Sequence, residues 1–279
     1  MHFSNLQDIA AATLFYQSEG YCTFTNLLSD SDVLNIIEAI EQSADGGALA
    51  LPRERMSSSD DVIYVSPVLM DACRHPNIVN VARALVGHPV ELQHAKLNAK
   101  PLSEDVPNSD VPWHQDYPFF PHTNHDLVAC VIHLDDEDEG SGAMSFVPGS
   151  HLLGERSHLD ENGVFVYRCH PPDQDLRKPT MLLARRGWIS FHHCLTLHQS
   201  GIKTHKRPRR LLVFQYRAYD SIQLAGVIWR CNGFPVDPSA PLLRTARFPD
   251  GQSVSLRGNG GRLYDIHGSL RPNTSPKSY

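Results

Sequence analysis

The strongest constraint on the fold of this chain is a change in hydrophobic period at Val90. From residue 90 to residue 99 the side chains alternate between two faces every second residue, which is the pattern of a β-strand. Further short strand-like runs follow, separated by proline and glycine, at residues 113–120, 127–134, 143–147, 180–184, 188–192 and 210–217. Many short strands at this spacing predict an all-β sandwich or barrel.

The segment before Val90 has helical character instead. Residues 9–16 are rich in alanine and are followed by Gly20, residues 33–40 carry an apolar stripe, and residues 77–85 are followed by Gly87. We therefore expect a single domain with three parts: a helical N-terminal layer at 1–88, a β core at 90–220 and a C-terminal extension at 221–279 that is rich in glycine, proline and arginine.

Composition narrows the class of protein. The apolar content of 41% is ample for a sizeable core in 279 residues, and the net charge of −6 argues against a general nucleic-acid binder. We find no basic segment followed by a long apolar run at the N-terminus, and no apolar run long enough to cross a membrane. Six scattered cysteines without a paired motif indicate reduced thiols. These features predict a cytoplasmic protein that binds neither nucleic acid nor a membrane, and they leave its oligomeric state open.

Histidine and aspartate occur together in a pattern that can bind a metal. A mononuclear non-haem iron centre needs two imidazoles and one carboxylate on one face of the metal, and a strand can supply two of these ligands from positions i and i+2. His114 and Asp116 fit this spacing and are flanked by Trp113 and Tyr117, aromatic residues that could form the wall of a pocket. We therefore predict that His114 and Asp116 are metal ligands, with a purely structural pair as the alternative.

Two other pairs have the same spacing but a different context. His158 and Asp160 lie among polar residues, where no strand would hold them rigidly. His133 and Asp135 end an apolar strand and continue into the acidic run 136–139, which predicts a solvated turn, with divalent-cation binding as the alternative.

The third ligand is expected on a later strand. The segment from Gly187 to Gly201 offers His192, His193 and His198. Arg209 follows His198 by eleven residues and begins the next apolar run, and a guanidinium there can bind the distal carboxylate of a diacid through two parallel hydrogen bonds. This companion favours His198 as the ligand, leaving His193 as the fallback and giving His192 a supporting or packing role.

Taken together, these motifs resemble the phytanoyl-CoA dioxygenase family, including its bacterial small-molecule hydroxylases. The resemblance covers roughly residues 90–220 and rests on the following ordered segments: Lys100-Pro101, Trp113-His114-Gln115-Asp116, the run from Gly142 to His151, Gly187-Trp188, the run from His198 to Gly201, and Arg209. It implies a mainly β fold with flanking helices, a double-stranded β-helix or jelly-roll barrel of the cupin-like type.

The resemblance also implies cofactors and roles for individual residues. Fe(II) would be held by His114, Asp116 and His198, and the cosubstrate 2-oxoglutarate by Arg209 with help from Ser200. With O2, such a protein hydroxylates a small molecule and converts 2-oxoglutarate to succinate. The carboxylate at position 116 favours hydroxylation over halogenation, because it leaves no position at the metal for a chloride ligand.

The substrate contacts are a weaker prediction from the same residues. We expect the pocket to be lined by side chains from the first core strand, from the metal motif and from the last core strand: His94, Lys96, Asn98, Gln115, Tyr117 and Arg217. This set would suit an acidic or phosphonate-like small molecule, although the strand residues could equally make ordinary cross-strand hydrogen bonds.

Two alternative functions remain open at the level of sequence. A jelly-roll metal enzyme without 2-oxoglutarate, such as a cupin-type isomerase or a hydrolase, could use the same ligands. A catalytically inactive metal-binding protein could retain them as well. The role of Arg209 distinguishes the first alternative, because only a 2-oxoglutarate enzyme requires it.

Overall fold

The computed structural model describes residues 1–47, 57–60, 62–100, 110–169, 176–240 and 245–255. The described part of the first 88 residues contains four α-helices, α1 (Ile9–Glu19), α2 (Asp30–Asp45), α3 (Pro67–Cys73) and α4 (Pro76–Val86). Gly20 and Gly87 follow α1 and α4 in the left-handed conformation, with φ of 83° and 80°, as expected for residues that end a helix without a Cβ penalty. Within the described segments, no helix is long and apolar enough to cross a membrane.

The larger sheet forms one side of the core. Its strands are β1 (His2–Phe3), β2 (Tyr21–Phe24), β3 (Ser57–Asp60), β4 (Val90–Ala99), β6 (Leu127–His133), β9 (Ile189–His193), β11 (Arg210–Ala218) and β12 (Phe234–Pro235). They run in the order β1-β2-β9-β6-β11-β4-β12, and β3 pairs with β4. The N-terminal layer is therefore not purely helical as expected, because β1, β2 and β3 extend this sheet.

A smaller sheet packs against the inner face of the larger one. It consists of β5 (Val111–His114), β7 (Met144–Phe146), β8 (Thr180–Met181) and β10 (His198–Ser200), in the order β5-β10-β7-β8. Met144 and Phe146 of this sheet share an apolar cluster with Val131 and Val213 of the larger sheet. A second and larger cluster joins the outer face of the larger sheet to the helices. The two sheets stay separate rather than closing into one hydrogen-bonded barrel.

The mainly β architecture with flanking helices agrees with the prediction, but one further segment differs from it. The expected strand at 113–120 ends at His114, and residues Tyr117–Phe119 form a 3₁₀ turn, since Pro118 cannot donate to a strand ladder. In the C-terminal extension, β12 pairs with β4 and the short strands β13 (Thr245–Arg247) and β14 (Ser253–Ser255) pair with each other. Residues 241–244 and 256–279 of that extension lie outside the described residues.

Candidate active site

Strand pairing brings the two predicted ligand histidines together. His114 ends β5 and is the direct register partner of His198 in β10, so both side chains leave the same face of the smaller sheet. The centroids of their rings are 4.1 Å apart. Phe146, the register partner of His198 on its other side, stacks on the His198 ring at 6.0 Å.

Asp116 reaches the same point because the chain turns after His114. Its backbone has helical angles, φ −70° and ψ −38°, at the start of the 3₁₀ turn. Oδ1 of Asp116 lies 3.8 Å from Nε2 of His114 and 3.8 Å from Nε2 of His198. The three ligand atoms all lie within 4.8 Å of one another, and this is the group of potential metal ligands found in the described part of the chain.

Hydrogen bonds to backbone carbonyls determine which ring nitrogen of His114 and of His198 can bind a metal. Nδ1 of His114 contacts the Pro112 carbonyl at 2.8 Å, and Nδ1 of His198 contacts the Thr196 carbonyl at 2.9 Å. A carbonyl accepts only from a protonated nitrogen, so Nε2 of each ring carries the lone pair that a metal needs. Bonds from such ligands to an ion are about 2.1 Å long, so the three atoms can surround one ion.

The electrostatics of the site favour the same protonation states. Burial lowers the pKa of His114, an effect that Asp116 partly offsets. Burial and the neighbouring His114 hold the pKa of His198 well below its usual value. Burial alone would raise the pKa of Asp116, but His198 and a hydrogen bond from His192 outweigh it and hold that pKa well below its ordinary value. Neutral imidazoles beside a carboxylate are the form that binds a divalent cation.

Of the other two histidines considered as ligands, His192 contacts the site. Its Nε2 lies 3.1 Å from Oδ2 of Asp116, whereas Oδ1 is the oxygen near the two predicted ligand rings, so His192 orients that carboxylate. Nδ1 of His193 instead accepts a hydrogen bond from the Leu195 amide, and its ring packs against Tyr16 and His151.

The other two His-x-Asp pairs are used differently. Asp135 accepts hydrogen bonds from Arg210, and His133 contacts Ser190 and Glu137. Glu137 is buried, so the expectation of a solvated turn at 136–139 is wrong at this residue. In the third pair, Nε2 of His158 accepts from the backbone amide of Gln115, and Oδ1 of Asp160 accepts from the backbone amides of residues 162 and 164.

A small cavity joins the ligand cluster to Arg209. Its volume is about 160 Å³, and Ser200 and Arg209 line this space together with the three predicted ligands. Arg209 is buried, and its Nε donates to Oε1 of Glu137 at 3.0 Å. Its Nη2 has no hydrogen-bond partner among the described residues. A buried guanidinium that faces a cavity with a nitrogen to spare is suited to an anionic ligand.

The structure divides the six predicted substrate contacts. Lys96 and Asn98 line the cavity, whereas His94 is not part of its lining and stacks on Trp229 at 4.3 Å between ring centroids. Gln215, which was not predicted, also lines the cavity, and its Nε2 has no described partner. Gln215 follows Leu211 and Val213 at every second position of β11, and both of these residues also line the cavity, so the alternation of that strand is the signal that could have found it.

The remaining three predicted contacts have structural partners away from the cavity lining. Nε2 of the Gln115 side chain donates to the carbonyls of Gly154 and Leu195, and its Oε1 accepts from the backbone amide of Arg156.

The hydroxyl of Tyr117 donates to the His122 carbonyl at 2.6 Å. Arg217 forms a buried ion pair with Glu91 at 2.7 Å and donates to the Ser221 carbonyl. Both side chains therefore hold neighbouring parts of the fold in place.

Two facing sheets with a His-Asp-His cluster between them define a jelly-roll metalloprotein. Residues 16–211 match the family described as phytanoyl-CoA dioxygenase (PhyH). The chain belongs to this family, which confirms the resemblance found in the sequence.

Similar proteins place the chain among iron- and 2-oxoglutarate-dependent dioxygenases. It is 31% identical over 230 residues to a probable alpha-ketoglutarate-dependent hypophosphite dioxygenase from Stutzerimonas stutzeri, covering 76% of this chain and 79% of the relative. It is 25% identical to an ectoine dioxygenase from Bordetella parapertussis over 74% of each chain.

Solved structures confirm the predicted fold class. The non-haem alpha-ketoglutarate-dependent epimerase SnoN from nogalamycin biosynthesis superposes with a TM-score of 0.69 at 22% identity, covering 84% of this chain and 95% of that one. EctD from S. alaskensis, with 2-oxoglutarate and 5-hydroxyectoine, superposes with a TM-score of 0.63 at 16% identity, covering 83% and 84%.

Proposed function

We propose that this protein is an Fe(II)- and 2-oxoglutarate-dependent hydroxylase of a small molecule. The observation that carries the proposal is that the His114, Asp116 and His198 ligand atoms and the Arg209 guanidinium share one small cavity. Iron with 2-oxoglutarate and O2 would supply the oxidising chemistry, while the protein supplies binding, orientation and exclusion of water.

Each part of the cavity has a role in this proposal. His114, Asp116 and His198 would hold the iron on one face, which leaves the other positions for cosubstrate and oxygen. Arg209 would bind the distal carboxylate of 2-oxoglutarate, and the Ser200 hydroxyl lies on the same lining for a further hydrogen bond. Between these polar ends the cavity is lined by apolar side chains, including Val131, Leu211 and Val213, which exclude water from the reacting groups.

Anaerobic titration of the protein with Fe(II) and 2-oxoglutarate tests this function. Because 2-oxoglutarate chelates iron through its C1 carboxylate and keto oxygen, binding gives a visible charge-transfer band. We expect the band with the wild type and none with His198→Ala, and we expect oxygen to convert 2-oxoglutarate to succinate in the wild type when substrate is present. A wild type that binds iron but gives no band would instead favour a cupin-type isomerase or hydrolase.

The cavity also supports a proposal for the class of substrate. Lys96 carries a positive charge into a cavity that already contains Arg209, and the N–H groups of Gln215 supply further donors beside it. The relative from S. stutzeri is named for hypophosphite, a small oxyanion. Asn98 pairs with Leu211 and Lys96 with Val213, so Asn98 lies nearer Arg209 along the ladder. We therefore propose that the substrate carries an acidic group, which Lys96 and Gln215 bind.

Matched pairs of compounds test the acidic group. A panel of small acids, hypophosphite among them, would be compared with their neutral amides or esters in a succinate-release assay. We expect only acids to stimulate release and Lys96→Met to raise the KM of an active acid roughly 10- to 100-fold, the loss of one charged hydrogen bond. Lys178→Met, at an exposed lysine, is the control. Stimulation by neutral compounds alone would contradict the proposed class.

A further inference from the structure

Glu137 differs from the other acidic residues of its run because it points into the protein. Asp136 and Glu139 of the same run are exposed, whereas the Glu137 side chain is 1% exposed. Its backbone amide donates to the Ala184 carbonyl at 2.8 Å, which fixes the turn after β6. A carboxylate this deeply buried is costly unless it is paired with a positive group.

The paired group is the guanidinium of Arg209. Oε1 of Glu137 accepts the Nε–H of Arg209 at 3.0 Å, and both side chains are almost fully buried. Burial would raise the pKa of Glu137, but the charge of Arg209 and the nearby His133 together lower it, which keeps the carboxylate ionised. Since Nε is occupied, Arg209 is held by one edge and its terminal nitrogens remain for a ligand.

A further contact connects this pair to the strand that supports the metal ligands. Nδ1 of His133 lies 3.3 Å from Oε1 of Glu137, and Nε2 of His133 lies 3.0 Å from the Ser190 hydroxyl. Ser190 and His192 are two residues apart on β9, so their side chains leave the same face of the strand. His192 contacts Asp116. One strand therefore supports both the carboxylate ligand and the residues behind Arg209.

We propose that Glu137 is a positioning residue for cosubstrate binding, which holds Arg209 so that its terminal nitrogens face the distal carboxylate of 2-oxoglutarate. This inference rests on the proposed function. Glu137 acts here through geometry rather than through its charge, because a carboxylate so close to an incoming anion would by itself weaken binding.

Two substitutions separate geometry from charge. Glu137→Gln keeps an oxygen that accepts from Nε but removes the charge, whereas Glu137→Ala removes both. The dissociation constant of 2-oxoglutarate would be measured anaerobically from the charge-transfer band in the Fe(II) protein. We expect Glu137→Ala to weaken binding about tenfold and Glu137→Gln to stay within about threefold of the wild type, since an orienting hydrogen bond is lost only in the first. Glu139→Ala and Glu139→Gln, in the exposed part of the same run, are the matched controls.

A second ligand distinguishes positioning from a general loss of structure. 2-Oxopentanoate can chelate iron as 2-oxoglutarate does, but it has no distal carboxylate for Arg209. We expect Glu137→Ala to leave its dissociation constant unchanged, so that the preference for 2-oxoglutarate falls. The inference is overturned if Glu137→Ala weakens both ligands equally, if it leaves 2-oxoglutarate binding unchanged, or if both variants bind 2-oxoglutarate more tightly. A wild type without any band would overturn the proposed function instead.

Discussion

His114-x-Asp116 and His133-x-Asp135 have the same three-residue pattern, and each begins at the last residue of a strand, yet their surroundings are opposite. β5 is short and its end faces β10, so His114 meets His198 and both rings border the cavity. β6 is a central strand of the larger sheet, and Asp135 beyond its end is neutralised by Arg210. The pattern supplies two candidate ligands, but the strand opposite decides whether a third can join them.

The charges around the two pairs differ in the same way. Among the described residues, Asp116 has three histidines beside it and no lysine or arginine. Its carboxylate therefore remains available to a metal. Both oxygens of Asp135 accept from a single guanidinium, which is a saturated and structural arrangement. A metal would have to displace Arg210 to reach Asp135.

The largest difference in activity is expected between Asp116→Ala and Asp135→Ala, the same substitution made in each of the two pairs. Asp116→Ala should abolish 2-oxoglutarate-dependent succinate release, a loss of at least about a thousandfold, because the carboxylate ligand of the iron is missing. Asp135→Ala should retain the activity per folded molecule. Retained activity in Asp116→Ala, or its loss in a folded Asp135→Ala, would reverse the assignment of the two pairs.

The adjacent arginines give the second comparison. Arg209→Ala should raise the KM for 2-oxoglutarate about a hundredfold, as expected for losing a bidentate ion pair, with a smaller change in kcat at saturating cosubstrate. Arg210→Ala removes the neighbouring guanidinium, which contacts Asp135 and Glu41 rather than the cavity. It should leave that KM unchanged. Steady-state kinetics with 2-oxoglutarate as the varied substrate measures both, and equal effects would remove the distinction.

His192 and His193 provide a third comparison, between neighbours on one strand. His192→Ala removes the contact to Oδ2 of Asp116 and should weaken Fe(II) binding about tenfold, because partners behind a ligand typically affect metal affinity to this degree. His193→Ala removes a side chain that the structure directs away from the ligands. Equilibrium dialysis with Fe(II) under anaerobic conditions should show no change for it, and a larger loss for His193→Ala would restore its status as the fallback ligand.

Parts of the fold and site follow directly from the sequence because they depend on local periodicity. The alternation at 90–99 and the apolar run at 127–134 correspond closely to β4 and β6. The spacing and aromatic neighbours of residues 114 and 116 predicted a ligand pair, and both side chains lie in the cluster that could hold a metal ion. The order and spacing of the later motifs added His198 and Arg209 through the family resemblance.

What the sequence could not predict depends on contacts between distant segments. Nothing local separates Glu137 from Asp136 or Glu139, and only the approach of Arg209 and His133 makes its burial favourable. Arg217 was expected in the pocket, but it pairs with Glu91 on the neighbouring strand. Whether a charged residue near the end of a core strand binds substrate or forms an internal ion pair depends on its partner on the neighbouring strand.

The smallest effect on activity and the clearest effect on stability are expected at the ion pair between Asp135 and Arg210. Asp135→Asn keeps the shape of the side chain but removes the charge that Arg210 neutralises, and both side chains are mostly buried, with 12% and 15% exposure. We expect the free energy of unfolding to fall by about 1–3 kcal/mol, with Fe(II) affinity and the KM for 2-oxoglutarate unchanged. Chemical denaturation measures the first quantity. Arg210 also donates to Glu41 on α2, so Glu41→Gln alone should lower the free energy of unfolding by part of this amount. A change of Fe(II) affinity in Asp135→Asn would instead show that the Asp135–Arg210 pair affects the metal site.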